Sequence, residues 1–228
     1  MSQTISPHFH AHAPHTAGRV IHWAARYDLF VPLFTFGRVR RLRSRIADLV
    51  QAQPGDAILD VGCGPGDLAL LLARRVGSGG MAAGIDASPE MIARARQKAG
   101  RRGLTVDFRL EPVEALSFAD HTFDGVVSSL MYHHLPADLK PQALASIARV
   151  LKPGGRVCIV DFMPHPDSRR GRMATNMAAL ADLLRDARFV DIRDGYGLPS
   201  LGLLTTAMGL PPVGYVMART PDHASEQR

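Results

Sequence analysis

The stretch AILDVGCGPGDLALLLARRV (57–76) constrains this chain most, because a strand, a tight loop and a helix follow one another in it without a break. AILDV is a short apolar run that stops at a cluster of glycines, as a buried strand does. The leucines of DLALLLARRV then recur at helical spacing. A buried strand, a glycine loop and a helix in that order open a β-α-β unit, whose strands run parallel under covering helices.

The alternation continues downstream. MAAGID is a second strand. SPEMIARARQKAG is a helix with Ser88 as N-cap, Pro89 at its first position and Gly100 near its end. TVDFRL, FDGVVSSL and GRVCIVDF are the next strands, with the helix QALASIARVL before the last of them. Residues 173–188 read as helix, and FVDIRD and VGYVMAR as the final strands. No clear helix separates those two, which allows an antiparallel pair at one edge. Before the core, helices are expected at about 18–30 and 38–52; in the second, Val39, Leu42, Ile46 and Leu49 share one side and arginines the other. The expected fold is α/β: a doubly wound, mostly parallel, seven-stranded Rossmann-like sheet with an antiparallel edge strand, plus N-terminal helices. Its expected divisions are a flexible His-rich tail over 1–17, an N-terminal helical lid over 18–52 and the main domain over 53–220.

At 228 residues, 46% hydrophobic and 21% charged, the chain suits one soluble domain with a sizeable core. No apolar run is long enough to span a bilayer, and the N-terminus lacks the apolar centre of a secretory signal. Cys63 and Cys158 make no disulfide framework, so the expected setting is cytoplasmic. The net charge of +6 gathers in GRVRRLRSR (37–45), RARQKAGRR (94–102) and RRGR (169–172), which read as solvated helix faces before nucleic-acid or lipid patches. His8, His10, His12 and His15 have no Cys or carboxylate beside them and are interrupted by Pro7 and Pro14, so they read as a tail with adventitious metal affinity rather than a metal site.

The charges around the glycine loop decide what it can hold. In LDVGCGPGD (59–67), Asp67 stands where a dinucleotide fingerprint has its third glycine, Asp60 precedes the loop, and Pro65 has no N–H to give. A pyrophosphate wants N–H donors and no anion nearby. Two like charges at about 4 Å repel by on the order of 4 kcal/mol at intermediate dielectric. The loop therefore suits a ligand with positive charge. Asp86 ends the second strand near the spacing at which an acid accepts hydrogen bonds from ribose hydroxyls. A ribose with a cationic tail describes S-adenosylmethionine. A dinucleotide-dependent oxidoreductase is the alternative that Pro65 and Asp67 disfavour.

ILDVGCGPGDLAL, GIDASPEMIARAR, FDGVVSSLMYHHL and ARVLKPGGRVCIVDF resemble, in order and spacing, the successive motifs of class I S-adenosylmethionine-dependent methyltransferases over about residues 50–165. ARYDLFVPLFTFGRVRRLR (25–43) resembles the N-terminal segment of the ubiquinone/menaquinone-biosynthesis group within that family. The resemblance implies roles by position. Asp60, Gly62, Cys63 and Gly64 would border the methionine end of the cofactor, Asp86 would bind the ribose, and Ala87 and Met91 would pack on the adenine. LEPVEALSF (110–118) resembles the adenine-edge segment, usually G-D-A-E-x-L-P-F, with Glu111 and Pro112 in place of Gly-Asp and the N–H of Val113 available. Ser128 would lie beside the methionine moiety, and Tyr27 would close over the site. Asp60 as a helix cap and Met91 as core remain the structural alternatives.

Strand ends at Gly62–Gly66, Asp86, Ser128–His134 and Asp161–His165 should share one rim, outside the carboxyl ends of the sheet. His133 and His134 are candidates there for a general base, needed when the acceptor is a protonated oxygen, nitrogen or carbon. Either could instead pack or hydrogen-bond at the strand-to-helix turn, and the resemblance makes a histidine at His134 the more ordinary of the two. Neither has the spacing of a metal ligand set. SSLM is unlike the N-P-P-Y motif of amine-directed enzymes, and no aromatic stacking platform accompanies the basic runs, so nucleic acid is disfavoured as substrate. The apolar stretches 23–36 and 195–215 fit a hydrophobic quinone-, lipid- or natural-product-like small-molecule acceptor. Peripheral membrane contact and a homodimer stay open, as does a cofactor-binding interaction protein without turnover.

Overall fold

The computed structural model describes residues 38–162, 175–196 and 213–222. Tyr27, the expected helix at 18–30, the histidine-rich tail, His165, the run RRGR and most of the apolar stretch 195–215 lie outside the described residues. The elements are α1 (Arg38–Leu49), β1 (Ala57–Val61), α2 (Asp67–Val76), β2 (Met81–Asp86), α3 (Pro89–Arg102), β3 (Asp107–Leu110), β4 (Phe123–Ser129), α4 (Leu139–Val150), β5 (Leu151–Phe162), α5 (Met177–Asp186), β6 (Val190–Tyr196) and β7 (Val213–Arg219). Short 3-10 turns at Val113–Ala115 and Tyr132–His134 follow β3 and β4.

The seven strands form one sheet in the order β3-β2-β1-β4-β5-β7-β6. β1 pairs in parallel with both β2 and β4, so the strand order reverses direction between β1 and β4. β7 runs antiparallel to β5 and to β6, and β6 is the outermost strand on that side. The antiparallel pairing expected at the edge is thus made by β7 inserted one place in. β5 begins at Leu151, four residues before the expected GRVCIVDF, and the β4–β5 register shifts between Phe123 and Gly125 to absorb the KPGG turn. α3 continues past Gly100 and ends at Gly103, whose φ of 60° supplies the left-handed cap.

Alternate side chains of each strand serve opposite faces. Ile58, Val127, Cys158 and Val160 pack with Leu42 and Ile46 of α1, with Val50 just after it, and with Leu68 and Leu72 of α2. Leu59, Val61, Val126, Val157 and Ile159 pack with Ala143, Leu144 and Ile147 of α4 and with Leu180 and Leu184 of α5. Helices on both faces make the sheet doubly wound, as the alternation of elements requires. Val39, Leu42 and Ile46 are buried as expected, and Arg40, Arg41 and Arg45 point outward.

Two features tie the glycine loop into this frame. Gly66 has φ 81°, and a Cβ there would stand 2.8 Å from both Ala95 Cβ and Phe108 Cζ, so α3 and β3 close on bare backbone. Asp67, next in line, receives Lys98 Nζ at 2.9 Å, Arg43 Nη2 at 3.4 Å and Arg102 Nη2 at 3.5 Å. Parts of the runs 37–45 and 94–102 therefore converge on one carboxylate and join α1, α2 and α3. The expectation that Asp67 adds free negative charge beside the loop is corrected: its charge is matched by cations from two helices. Gly66→Ala should cost roughly 2–4 kcal/mol through backbone strain and overpacking. Urea denaturation would register this as a lower midpoint with an unchanged slope.

Candidate active site

The reversal of strand order opens a crevice beyond the carboxyl ends of β1 and β4, where open α/β sheets take their ligands. Val61 and Ser128 are directly paired across it. Around this point the fold brings together nearly all the residues expected there from the sequence.

The loop after β1 leaves the sheet at Gly62, φ 70°. Cys63 N–H still donates to Ile85 O at 2.8 Å, and Gly66 N–H donates to Cys63 O at 3.0 Å to close the turn. A Cβ on Gly62 would meet Met131 Cγ at 2.3 Å, so the side chain of Met131 lies directly on the loop. Gly64 instead faces open space: a Cβ there would have no neighbour within 4 Å. Met131 is a site residue that sequence reasoning missed; its place between SSL and YHH marked it as rim, but only the fold sets it on Gly62.

Asp60 and Asp86 lie on the same side of the sheet, since Asp60 pairs with Gly84, two residues before Asp86. Asp86 accepts Gly64 N–H at 2.9 Å on Oδ2 and Ser88 N–H at 2.8 Å on Oδ1. It fixes the loop and the start of α3 together. Burial pushes its carboxyl above the usual range, and those two N–H groups pull the other way. Asp60 is 1% exposed, and its Oδ2 is buried without a hydrogen-bond partner. Burial raises its carboxyl to about 7, against a pull from the Ala69 N–H and the charge of Arg43. A buried carboxylate oxygen without a donor is a costly arrangement that a cationic or N–H-bearing ligand relieves. Burial, followed by the charges of Asp60 and Asp86, also lifts the Cys63 thiol well above its ordinary value, so Cys63 is loop packing, not a nucleophile.

The remaining expected residues take their places around these two acids. Met91 is buried at the first turn of α3, its N–H directed to the Ser88 hydroxyl, and Ala87 precedes it half-buried. Pro112 leads into the 3-10 turn that buries Val113. Glu111 is engaged elsewhere: its carboxylate accepts the Ser117 N–H at 3.1 Å and the Ser117 hydroxyl, and lies 4.0 Å from Arg109 Nη1. Ser128 is 1% exposed on the opposite face from Asp60, and its hydroxyl lacks a partner. Two orphaned polar groups, one from each face, thus flank the crevice. Such a set of acceptors fits a ligand that brings N–H and O–H donors, as S-adenosylmethionine does.

His133 and His134 form the turn after β4, their rings 3.9 Å apart and tilted by 41°. His133 is bound to Asp161, fully buried near the end of β5: Nδ1 lies 2.6 Å from Oδ1, and the His133 N–H donates to Oδ2 at 2.7 Å. Tyr132 is buried with its hydroxyl unpartnered; burial and then the charge of Asp161 push that phenol upward. Among the described residues no three metal-binding side chains come together, and no helix is long and apolar enough to cross a membrane.

Residues 58–155 match the sequence family described as a methyltransferase domain. The chain is 41% identical over 148 residues to a demethylmenaquinone methyltransferase of Thermus thermophilus, a match covering 65% of this chain and 66% of that protein. Over the matched segment the chain is therefore similar to methyltransferases. It is also 39% identical over 131 residues to a nocamycin O-methyltransferase of Saccharothrix syringae, covering 57% of this chain and 46% of that one. The chain thus spans less than two thirds of the length of these curated methyltransferases. Among solved structures it superposes on the cyclase SpnF with a TM-score of 0.68 at 22% identity, covering 91% of this chain and all of the other. A cyclase among methyltransferase-like folds is a reminder that the fold alone does not carry the reaction.

Asp60 makes a pH test of this geometry. The unfolded carboxyl ionises near 3.8 and the folded one near about 7. The unfolded state therefore loses its proton first, and stability falls as pH rises through that window, then levels off. Asp60→Asn should melt above the wild type at pH 8, and the gap should close as the pH is lowered toward 4; calorimetry across that range measures it.

Proposed function

We propose that this protein transfers the methyl group of S-adenosylmethionine to a small, hydrophobic, quinone-like acceptor. The observation that carries the cofactor reading is the buried, unpartnered Oδ2 of Asp60 beneath a glycine loop that Asp86 holds open. A phosphate would meet two carboxylates there, whereas an ammonium meets an acceptor waiting for a donor. When bound, S-adenosylmethionine supplies an electrophilic methyl carbon whose bond to sulfur breaks with both electrons going to sulfur.

The chain's own groups do the rest. Asp60, Gly62, Cys63 and Gly64 border the methionine end. Asp86 keeps lone pairs free for the ribose hydroxyls while its two N–H bonds hold its position. Ala87, Met91, Pro112 and Val113 line the adenine side, and Ser128 faces the methionine from the other sheet face. The engagement of Glu111 with Ser117 and Arg109 leaves the Val113 N–H as the more accessible adenine partner. Met131 on the loop and His133 and His134 beyond it stand on the acceptor side. Alignment of acceptor and methyl, with water excluded, is the main contribution such a site makes. Support for a quinone-like acceptor comes from the demethylmenaquinone relative and from the apolar character of the sequence at 23–36 and 195–215. Tyr27 closing over the site, membrane contact and a cytoplasmic setting belong to the same proposal.

Calorimetric titration tests the cofactor half: S-adenosylhomocysteine should bind and NAD should not, and tight binding of NAD alone would overturn the reading. Asp86→Ala should weaken S-adenosylhomocysteine by about 10- to 100-fold, the value of one or two charge-assisted hydrogen bonds. Asp60 adds a proton signature. A ligand ammonium favours its ionised form, so binding at pH 6 should release up to one proton, detected as a dependence of the heat on the buffer's ionisation enthalpy, and that release should vanish in Asp60→Asn.

A further inference from the structure

A second pocket, of about 130 Å³, lies at the opposite end of the sheet from the crevice, where β5 and β6 begin and β7 ends. Arg156 lines it, roughly 16 Å short of Asp161 along β5 at about 3.3 Å per residue. Two more arginines join it from the adjacent strands. Arg219 of β7 is directly opposite Arg156, and Arg193 of β6 is directly opposite Met217. Paired residues share a face, as do residues two apart, so these four side chains all lie on the α1 side of the sheet. Leu49, the last residue of α1, and Met217 give the pocket its apolar wall. Like charges directly opposite each other destabilise a pair of strands, so the arginines call for anions. Arg156 has one: its Nη2 donates to Asp56 Oδ2 at 2.6 Å, although its Nε is buried without a partner. Arg219 has only a neutral amide, with Nη2 3.4 Å from Gln51 Oε1. Among the described residues Arg193 is in no ion pair. The register of β6 slips between Val190 and Arg193, and Asp191, inside that bulge, lines the same pocket, likewise outside any ion pair among the described residues.

We propose that this pocket binds a small monocarboxylate with an apolar body, its carboxylate held by Arg193 and Arg219 and its hydrocarbon laid on Leu49 and Met217. Charge sets the class. Asp56 balances Arg156, and Asp124, which also feels Arg156, is held by Lys152 at 2.8 Å. Arg193 and Arg219 set against Asp191 leave one positive charge over. A monoanion cancels that charge. A phosphate dianion overshoots it and stands beside Asp191. Guanidinium groups match a carboxylate with paired N–H bonds, and a charge-assisted bond is about twice as strong as a neutral one. Arg219 therefore gains when a carboxylate replaces the Gln51 amide. Size sets the rest, because the cavity is smaller than the ~300–1,000 Å³ that drug-sized ligands occupy. Both arginines are exposed, so the ligand enters from solvent without any part of the sheet opening. The site is separate from the crevice and does not depend on the reaction proposed there.

Methionine methyl groups report on the two ends of the sheet separately. The full chain, labelled with carbon-13 at its methionine methyls, is titrated with sodium benzoate at constant ionic strength. Met217 is assigned by its loss in Met217→Leu, and Met91 and Met131 in the same way. The Met217 signal should shift and saturate, with a Kd on the order of 1 mM. Met91 and Met131, at the crevice, should not move. Arg193→Gln and Arg219→Gln should each weaken benzoate by about tenfold, the scale of one charge-assisted hydrogen bond. Asp191→Asn removes the repelling acid and should tighten benzoate by about threefold, the scale of one exposed charge pair. Inorganic phosphate at pH 8 should bind more weakly than benzoate in the wild type, and Asp191→Asn should narrow that gap. A Met217 signal that stays in place, benzoate shifts at Met91 or Met131 instead, or arginine variants that titrate like the wild type would sink the site. Phosphate that binds as tightly as benzoate would overturn the monocarboxylate assignment.

Discussion

Three aspartates near the carboxyl ends of β1, β2 and β5 govern this rim, Asp60 and Asp161 buried and Asp86 half-buried. A buried carboxyl must be protonated, paired or saturated with N–H and O–H donors. Asp86 is held by two backbone amides, which also lock the glycine loop against α3. Asp161 is saturated by four donors and ties the turn after β4 to β5 and to Thr175. Asp60 has neither arrangement; burial lifts its carboxyl to about 7, and one oxygen waits without a partner. That difference separates frame from function. Asp161 is taken up wholly by the frame, Asp86 holds the loop with two N–H bonds and keeps lone pairs over, and Asp60 alone has a buried oxygen without a partner.

The sheet explains why these groups meet. β1 and β4 are neighbours although four elements separate them in sequence, so the glycine loop and the turn carrying His133 open onto one crevice. Alternation along the strands then sends Asp60 and Asp86 to the α2 side and Ser128 and Asp161 to the α4 side. A ligand lying across the strand ends touches both sets. The Asp67 cluster works beneath this, drawing Arg43 from α1 and Lys98 and Arg102 from α3 onto the first residue of α2. An acid at a helix N-terminus is favourable in itself, and here it also fastens three helices under the loop.

Much of this was legible in the chain. The apolar runs and their punctuation gave the strands and helices of the core, because burial on both faces demands a nearly continuous apolar strand. The N-cap at Ser88 and the proline after it were readable as local chemistry, and the hydroxyl does accept the Met91 N–H at 3.4 Å. The glycines marked the tight loop, and Gly62, Gly64 and Gly66 all have positive φ. Gly100 does lie near the end of α3, but the cap is Gly103, and a glycine within a helix and a glycine capping one look alike in sequence. Asp67 was misjudged because its three partners come from residues 24 to 35 positions away, beyond any local pattern.

Sequence alone determined the alternating architecture, the family motifs and the identity of the acids and histidines at the strand ends, since these depend on composition and spacing within short segments. Only the tertiary structure decided what each polar group does. Asp161 and His133 are 28 residues apart, and nothing local says that one will hold the other. Met131 lies on Gly62, Glu111 turns to Ser117, and Asp60 is left with an unmatched oxygen for the same reason. Hydrogen bonds act over about 3 Å, and only a folded chain brings distant donors and acceptors within that range.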